Sequence, residues 1–127
     1  MVIDSYDPLQ PPDAKQWLAL DESTRIELAV DYHKRSGVEL PNVTVHATLH
    51  AIVENQVALG DATPVRLKVR QLMAQGLDRH DAIHAVSSVL IKHIFAAVQG
   101  EVPAAESNAR YYSALKRLNA RKWLRSG

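Results

Sequence analysis

At 127 residues the chain has room for one compact domain and too little for two. Hydrophobic residues at 46% and charged residues at 23% form an ordinary globular balance, which excludes global disorder. Cysteine is absent, so a disulfide framework and a thiolate metal site are excluded; a metal would have to be held by histidine, carboxylate or water.

The net charge of +1 is unevenly spread. Residues 1–63 hold ten acids and four bases, and residues 64–127 hold four acids and eleven bases. Such halves neutralise each other within one fold or across an antiparallel homodimer. The N-terminus shows no basic leader. No run approaches the ~18 uninterrupted apolar residues of a membrane span, so a cytoplasmic location without membrane contact is the expectation.

Residues 1–13 carry Pro8, Pro11 and Pro12 among aspartates and read as an extended arm, draped over the fold or disordered. A single domain is expected over residues 14–127. Asp13 can cap a short turn, Ala14 to Leu20, anchored by Trp17, Leu18 and Leu20. Asp21 reads as the cap of a helix ending near Ser36 and Gly37. Within it Ile26, Ala29, Val30 and His33 fall at i, i+3, i+4 and i+7, one core-facing stripe.

After a connection at Val38–Pro41, Asn42 can cap a helix from Val43 to Leu59, with Gly60 as its stop. Val45, Leu49, Ile52, Val53, Val57 and Leu59 define the expected buried arc. His46 projects inside that arc, His50 at its edge, and Glu54 one step further towards solvent. Thr63 and Pro64 start a third long helix to Gln75. Its apolar surface is Val65, Leu67, Val69, Leu72 and Met73, with Arg66, Lys68, Arg70 and Gln71 facing solvent. Asp78 caps a fourth helix, Arg79 to Val98, whose buried arc runs through Ile83, Val86, Leu90, Ile91, Ile94, Phe95 and Val98. His84 projects into this arc, His80 lies one turn away, and small Ser87 follows on the same face, whereas His93 points the opposite way. Pro103 begins a last helix to about Arg125. No segment alternates with period two, so the expected fold is all-α, an antiparallel bundle of about five helices.

The histidines carry the chemistry. His46 and His50 are four residues apart, as are His80 and His84, and on a helix that spacing puts both rings on one face. Burying four imidazoles requires partners for all their ring nitrogens, each unsatisfied one costing roughly 1–3 kcal/mol. A metal takes one nitrogen per ring and leaves the other for a hydrogen bond behind it. The pattern therefore predicts a divalent metal held by His46, His50, His80 and His84, zinc first, with iron and nickel as alternatives. Glu54 is the expected carboxylate ligand or base, and Asp81 is expected to orient a water or a ligand. His33 is a further candidate ligand or stands behind the others, and Ser87 is expected behind them.

An open coordination position would make the chain a metal-dependent hydrolase of an unspecified small-molecule substrate. A filled one would make the metal structural or regulatory. The competing reading is a metal-free interaction module with a buried histidine network, acting as a dimer or through its C-terminal helix. There Tyr111, Tyr112 and Trp123 interleave with Arg110, Lys116, Arg117, Arg121, Lys122 and Arg125, as in nucleic-acid binders. Cations in a last helical turn equally complement the helix dipole, which makes nucleic acid the weaker reading.

Several families share parts of this pattern. His80-Asp81-Ala82-Ile83-His84 resembles the HExxH helix of zinc peptidases, with aspartate in place of the catalytic glutamate and no edge strand to hold a peptide. His80-Asp81 is similar to the pair that names the helical His-Asp phosphohydrolases, but no further aspartate follows. The order His33, His50 to Glu54, then His80 to His84 resembles hemerythrin-like di-iron bundles. The final helix here lacks that family's histidine and aspartate. From about Trp17 to Gln99 the chain resembles small bacterial proteins of a domain-of-unknown-function family. The phrases that carry this are His46-Ala47-Thr48-Leu49-His50 leading into Glu54-Asn55-Gln56, and Gly76 through Ala85. That resemblance implies no activity.

Overall fold

Helices account for all the regular structure among the described residues, which are 3–37 and 42–126 of a computed structural model; the expected connection at Val38–Pro41 lies outside them. The elements are α1 (Ala14–Ala19), α2 (Glu22–Ser36), α3 (Val43–Ala58), α4 (Val65–Ala74), α5 (Arg79–Val98), α6 (Ala104–Arg117) and α7 (Ala120–Ser126). A single 3₁₀ turn, Gly60–Ala62, joins α3 to α4.

The helix ends follow local chemistry. Asp13, Asn42 and Asp78 each accept a hydrogen bond from the backbone N–H three residues on, satisfying a donor that the first turn leaves open. Gly37 ends α2 at φ 74°, a left-handed conformation that glycine adopts without steric cost. The expected long last helix is broken in two. Leu118 is extended, Asn119 caps the new start by accepting from Lys122 N–H at 2.8 Å, and the Ala120 N–H is taken by Gln75 Oε1 at 2.8 Å. A side-chain amide from the end of α4 thus satisfies the donor exposed by the break.

Two apolar clusters share α3 between them. One joins Val53 to Val65, Leu72, Ile83, Val86 and Tyr111 across α4, α5 and α6. The other joins Ala47 and Ala51 to Trp17, Leu28, Ala29 and Tyr6, so that the N-terminal arm lies on the bundle with Tyr6 and Pro8 buried. Small Ala29, Ala47 and Ala51 leave room for α2 to pack closely on α3. Among the described helices, α5 is long and apolar enough to cross a bilayer, and here it packs against α3, α4 and α6.

The buried arcs differ from expectation in three places. On α3, Val45 and Leu59 are exposed, whereas His50 and Glu54 are each only 1% exposed. This helix packs against α1, α2, α4 and α5, so no single stripe describes its buried surface. On α4, Leu67 and Met73 are exposed and Lys68 is buried, its ammonium donating to Leu118 O at 2.9 Å. On α5, Ile94, Phe95 and Val98 reach solvent. At 1.5 Å per residue α5 spans about 30 Å and α4 about 15 Å, so the last turns of α5 run on without α4 beside them.

Candidate metal centre

His33 comes from the last turn of α2, His46 and His50 from successive turns of α3, and His80 and His84 from the first turns of α5. Their candidate ligand nitrogens, one per ring, all lie within 4.8 Å of one another. Ring centroids are 4.2 Å apart for His80 and His84, 4.6 Å for His33 and His46, 4.8 Å for His46 and His84, and 4.9 Å for His33 and His50. Metal–imidazole bonds of about 2.0–2.1 Å keep two nitrogens on one ion within roughly 4.2 Å of each other. The widest separation exceeds that limit by about 0.6 Å, so the rings would have to draw inward to share one ion.

Hydrogen bonding determines which nitrogen each inner ring presents. His33 Nδ1 lies 2.6 Å from Ala29 O. A carbonyl only accepts, so Nδ1 carries the proton and Nε2 holds the bare lone pair. For His50 the same result comes through the arm. Tyr6 donates its single hydroxyl proton to Glu54 Oε2 at 2.6 Å, which leaves its oxygen to accept from His50 Nδ1–H at 3.1 Å. Among the described residues, Nε2 of His33, His50 and His80 are buried without a hydrogen-bond partner. His46 Nε2 and His84 Nε2 face each other at 3.0 Å, one donating to the other. In their neutral form His33 and His50 thus each hold a buried Nε2 lone pair that meets no donor among the described residues, which is costly unless something electrophilic meets it.

Burial keeps four of the five rings neutral, those of α3 and α5. It lowers His46 and His84 from the usual 6.5 to about 4, with charge repulsion from neighbouring rings adding to the effect. His50 and His80 are likewise held below the ordinary range, first by burial and then by their histidine neighbours. Neutral imidazole is the form that binds a metal.

Behind His50 stands a buried ion pair. Arg79 grips Glu54 with both terminal nitrogens, Nη1 to Oε2 at 2.8 Å and Nη2 to Oε1 at 2.7 Å, and Nη1 also donates to Pro8 O at 3.0 Å. Burial works against the arginine's charge, but Glu54 outweighs it and the guanidinium titrates above its usual value. The Tyr6 phenol is pushed well up by burial and then by the Glu54 charge, so it remains a donor.

The five rings thus include the four expected ligands and His33, the further candidate. Glu54 is not in the group; both its oxygens are engaged by Arg79 and Tyr6. Asp81 sits half-buried in the first turn of α5, near enough for its charge to act on His80. Ser87 is buried, and its hydroxyl has no partner among the described residues. His93 lies apart, bonded to Val89 O and beside Tyr111. Sequence reasoning missed Tyr6 and Arg79. An aromatic within a proline-rich arm was the one available sign of the first. A cation next to His80, 25 positions from the carboxylate it serves, gave no sign of the second.

Five imidazoles converging between three helices define an all-α protein with a candidate metal centre. The chain belongs to the family described as a domain of unknown function, DUF1841, whose family model matches residues 11–117. That span holds all five histidines, Glu54 and Arg79, and begins after Tyr6. No curated protein and no solved structure matches the chain.

Proposed function

We propose that this protein binds a late first-row divalent metal, zinc first, through His33, His46, His50, His80 and His84. The observation that carries this reading is the convergence of five candidate ligand nitrogens, one per ring, within 4.8 Å, with Nε2 of His33, His50 and His80 buried and without a hydrogen-bond partner among the described residues. An all-nitrogen donor set disfavours magnesium and calcium, which take oxygen ligands. With every position filled the ion is structural or regulatory, and with one left open it supplies Lewis acidity for hydrolysis. Glu54 serves by holding Tyr6 and Arg79, and Asp81 is the carboxylate available as a base. Binding is accordingly the primary reading and hydrolysis the conditional one.

The test is elemental analysis of untagged protein purified without chelator, with thermal melting before and after EDTA. Near-stoichiometric metal and a melting point that falls on stripping support the reading, because a ligand of the native state adds stability. His80→Ala/His84→Ala should abolish both. Full metal occupancy in that double variant would reject the ligand set, and metal-free wild-type protein that takes up no zinc or cobalt would reject the function.

A further inference from the structure

On the other side of the Glu54–Arg79 pair from His50 lies a cavity of about 340 Å³. Its walls are apolar: Trp17 from α1, Val57 and Ala58 from α3, Val69 and Met73 from α4. Leu9, Pro11 and Pro12 of the N-terminal arm complete them, and the ion pair forms part of the lining. At roughly 30 Å³ per water-sized unit this volume holds on the order of a dozen heavy atoms, at the lower end of small-molecule pockets.

The charges at this cavity do not cancel. Arg79 is matched by Glu54, and Arg66 by Asp61 at 2.8 Å. Arg70 is exposed and has no hydrogen bond or ion pair among the described residues. Arg66, Val69, Arg70 and Met73 follow i, i+3, i+4, i+7 spacing on α4, so one helix face offers both the apolar wall and the cations. One uncompensated guanidinium beside an apolar cavity is complementary to one negative charge on an apolar body.

We infer that this cavity binds a small amphipathic monocarboxylate, a chain of about ten carbons in the scale of such pockets, with its carboxylate on Arg70 and Arg66 and its tail against Trp17, Val69 and Met73. The inference stands on the cavity alone and does not depend on the metal reading.

Trp17 reports on occupancy directly. The chain has two tryptophans, so a Trp123→Phe background leaves Trp17 as the sole emitter. Decanoate, kept below its micellar range, is titrated in parallel with decanol. The expected result is a saturable change in Trp17 emission, with decanoate binding at least tenfold more tightly than decanol. Arg70→Gln should remove that advantage and leave decanol unchanged. Ala58→Leu, which fills the cavity, should weaken both ligands, with circular dichroism and melting showing that each variant is folded. Equal affinity for acid and alcohol, decanoate binding unaffected by Arg70→Gln, or no saturable response would each overturn the proposal.

Discussion

Tyr6 donates to Glu54 at 2.6 Å across 48 positions of sequence, and the same phenolic oxygen accepts from His50. An arm residue therefore sets the tautomer of a ring in the middle of the bundle. Removing that hydroxyl leaves His50 Nδ1–H without an acceptor and Glu54 short of a donor. Tyr6→Phe is expected to cost about 1–3 kcal/mol of stability and roughly 10- to 100-fold in zinc affinity. Urea denaturation reads the first and competition against a chromophoric chelator the second. Unchanged affinity would mean that the arm has no part in ordering the site.

The Glu54–Arg79 pair is buried on both sides, with side chains 1% and 5% exposed. Glu54→Gln leaves an uncompensated guanidinium in the interior and should destabilise the fold by about 3–5 kcal/mol. Replacing both partners, Glu54→Leu with Arg79→Met, should recover most of that loss, since an apolar pair leaves no charge stranded. Chemical denaturation of the two variants decides it. A double variant as unstable as the single one would contradict the account.

Acid should unfold the metal-free protein through its histidines. In the unfolded chain these rings titrate near 6.5, whereas His46 and His84 titrate at about 4 when folded, with His50 and His80 also shifted down. Above pH 6.5 both states are neutral and stability is independent of these groups. As pH falls from 6.5 towards 4 the unfolded state binds protons first, so stability drops and levels off for His46 and His84 below about 4. Urea midpoints at pH 7.5, 6 and 5 should decline in that order, and His46→Gln/His84→Gln should flatten the decline. A midpoint constant between pH 7.5 and 5 would be inconsistent with a buried neutral cluster.

His33 and His93 form an internal control, since the chain has six histidines and five cluster. His33→Ala should lower zinc affinity at least tenfold and alter the visible spectrum of the cobalt-loaded protein, which reports coordination number. His93→Ala should change neither. If the two variants behave alike, His33 is a bystander, and the ligand set shrinks to the rings of α3 and α5.

Much of this architecture can be read from residue spacing. The caps Asp13, Asn42 and Asp78 and the bounds of α5 follow from short-range chemistry, because a capping side chain and its N–H lie three residues apart. The pairing of His46 with His50 and of His80 with His84 follows from the pitch of the helix. Burial was less legible. His50 and Glu54 project towards the margin of an arc drawn through the apolar residues of α3, yet both are fully buried, because the arm and α5 cover that margin. Lys68 reads as a surface cation and is drawn inward by the carbonyl at the end of α6.

Local sequence, then, determined an all-helical chain and two imidazole pairs, since both depend on interactions within one or two turns. Tertiary structure alone decided that His33 joins those pairs, that Glu54 is committed to Arg79, and that Tyr6 closes the far side of His50. These relationships span 13 to 48 positions. They arise from how α2, α5 and the arm pack on α3, and the periodicity of a single helix contains no information about its neighbours.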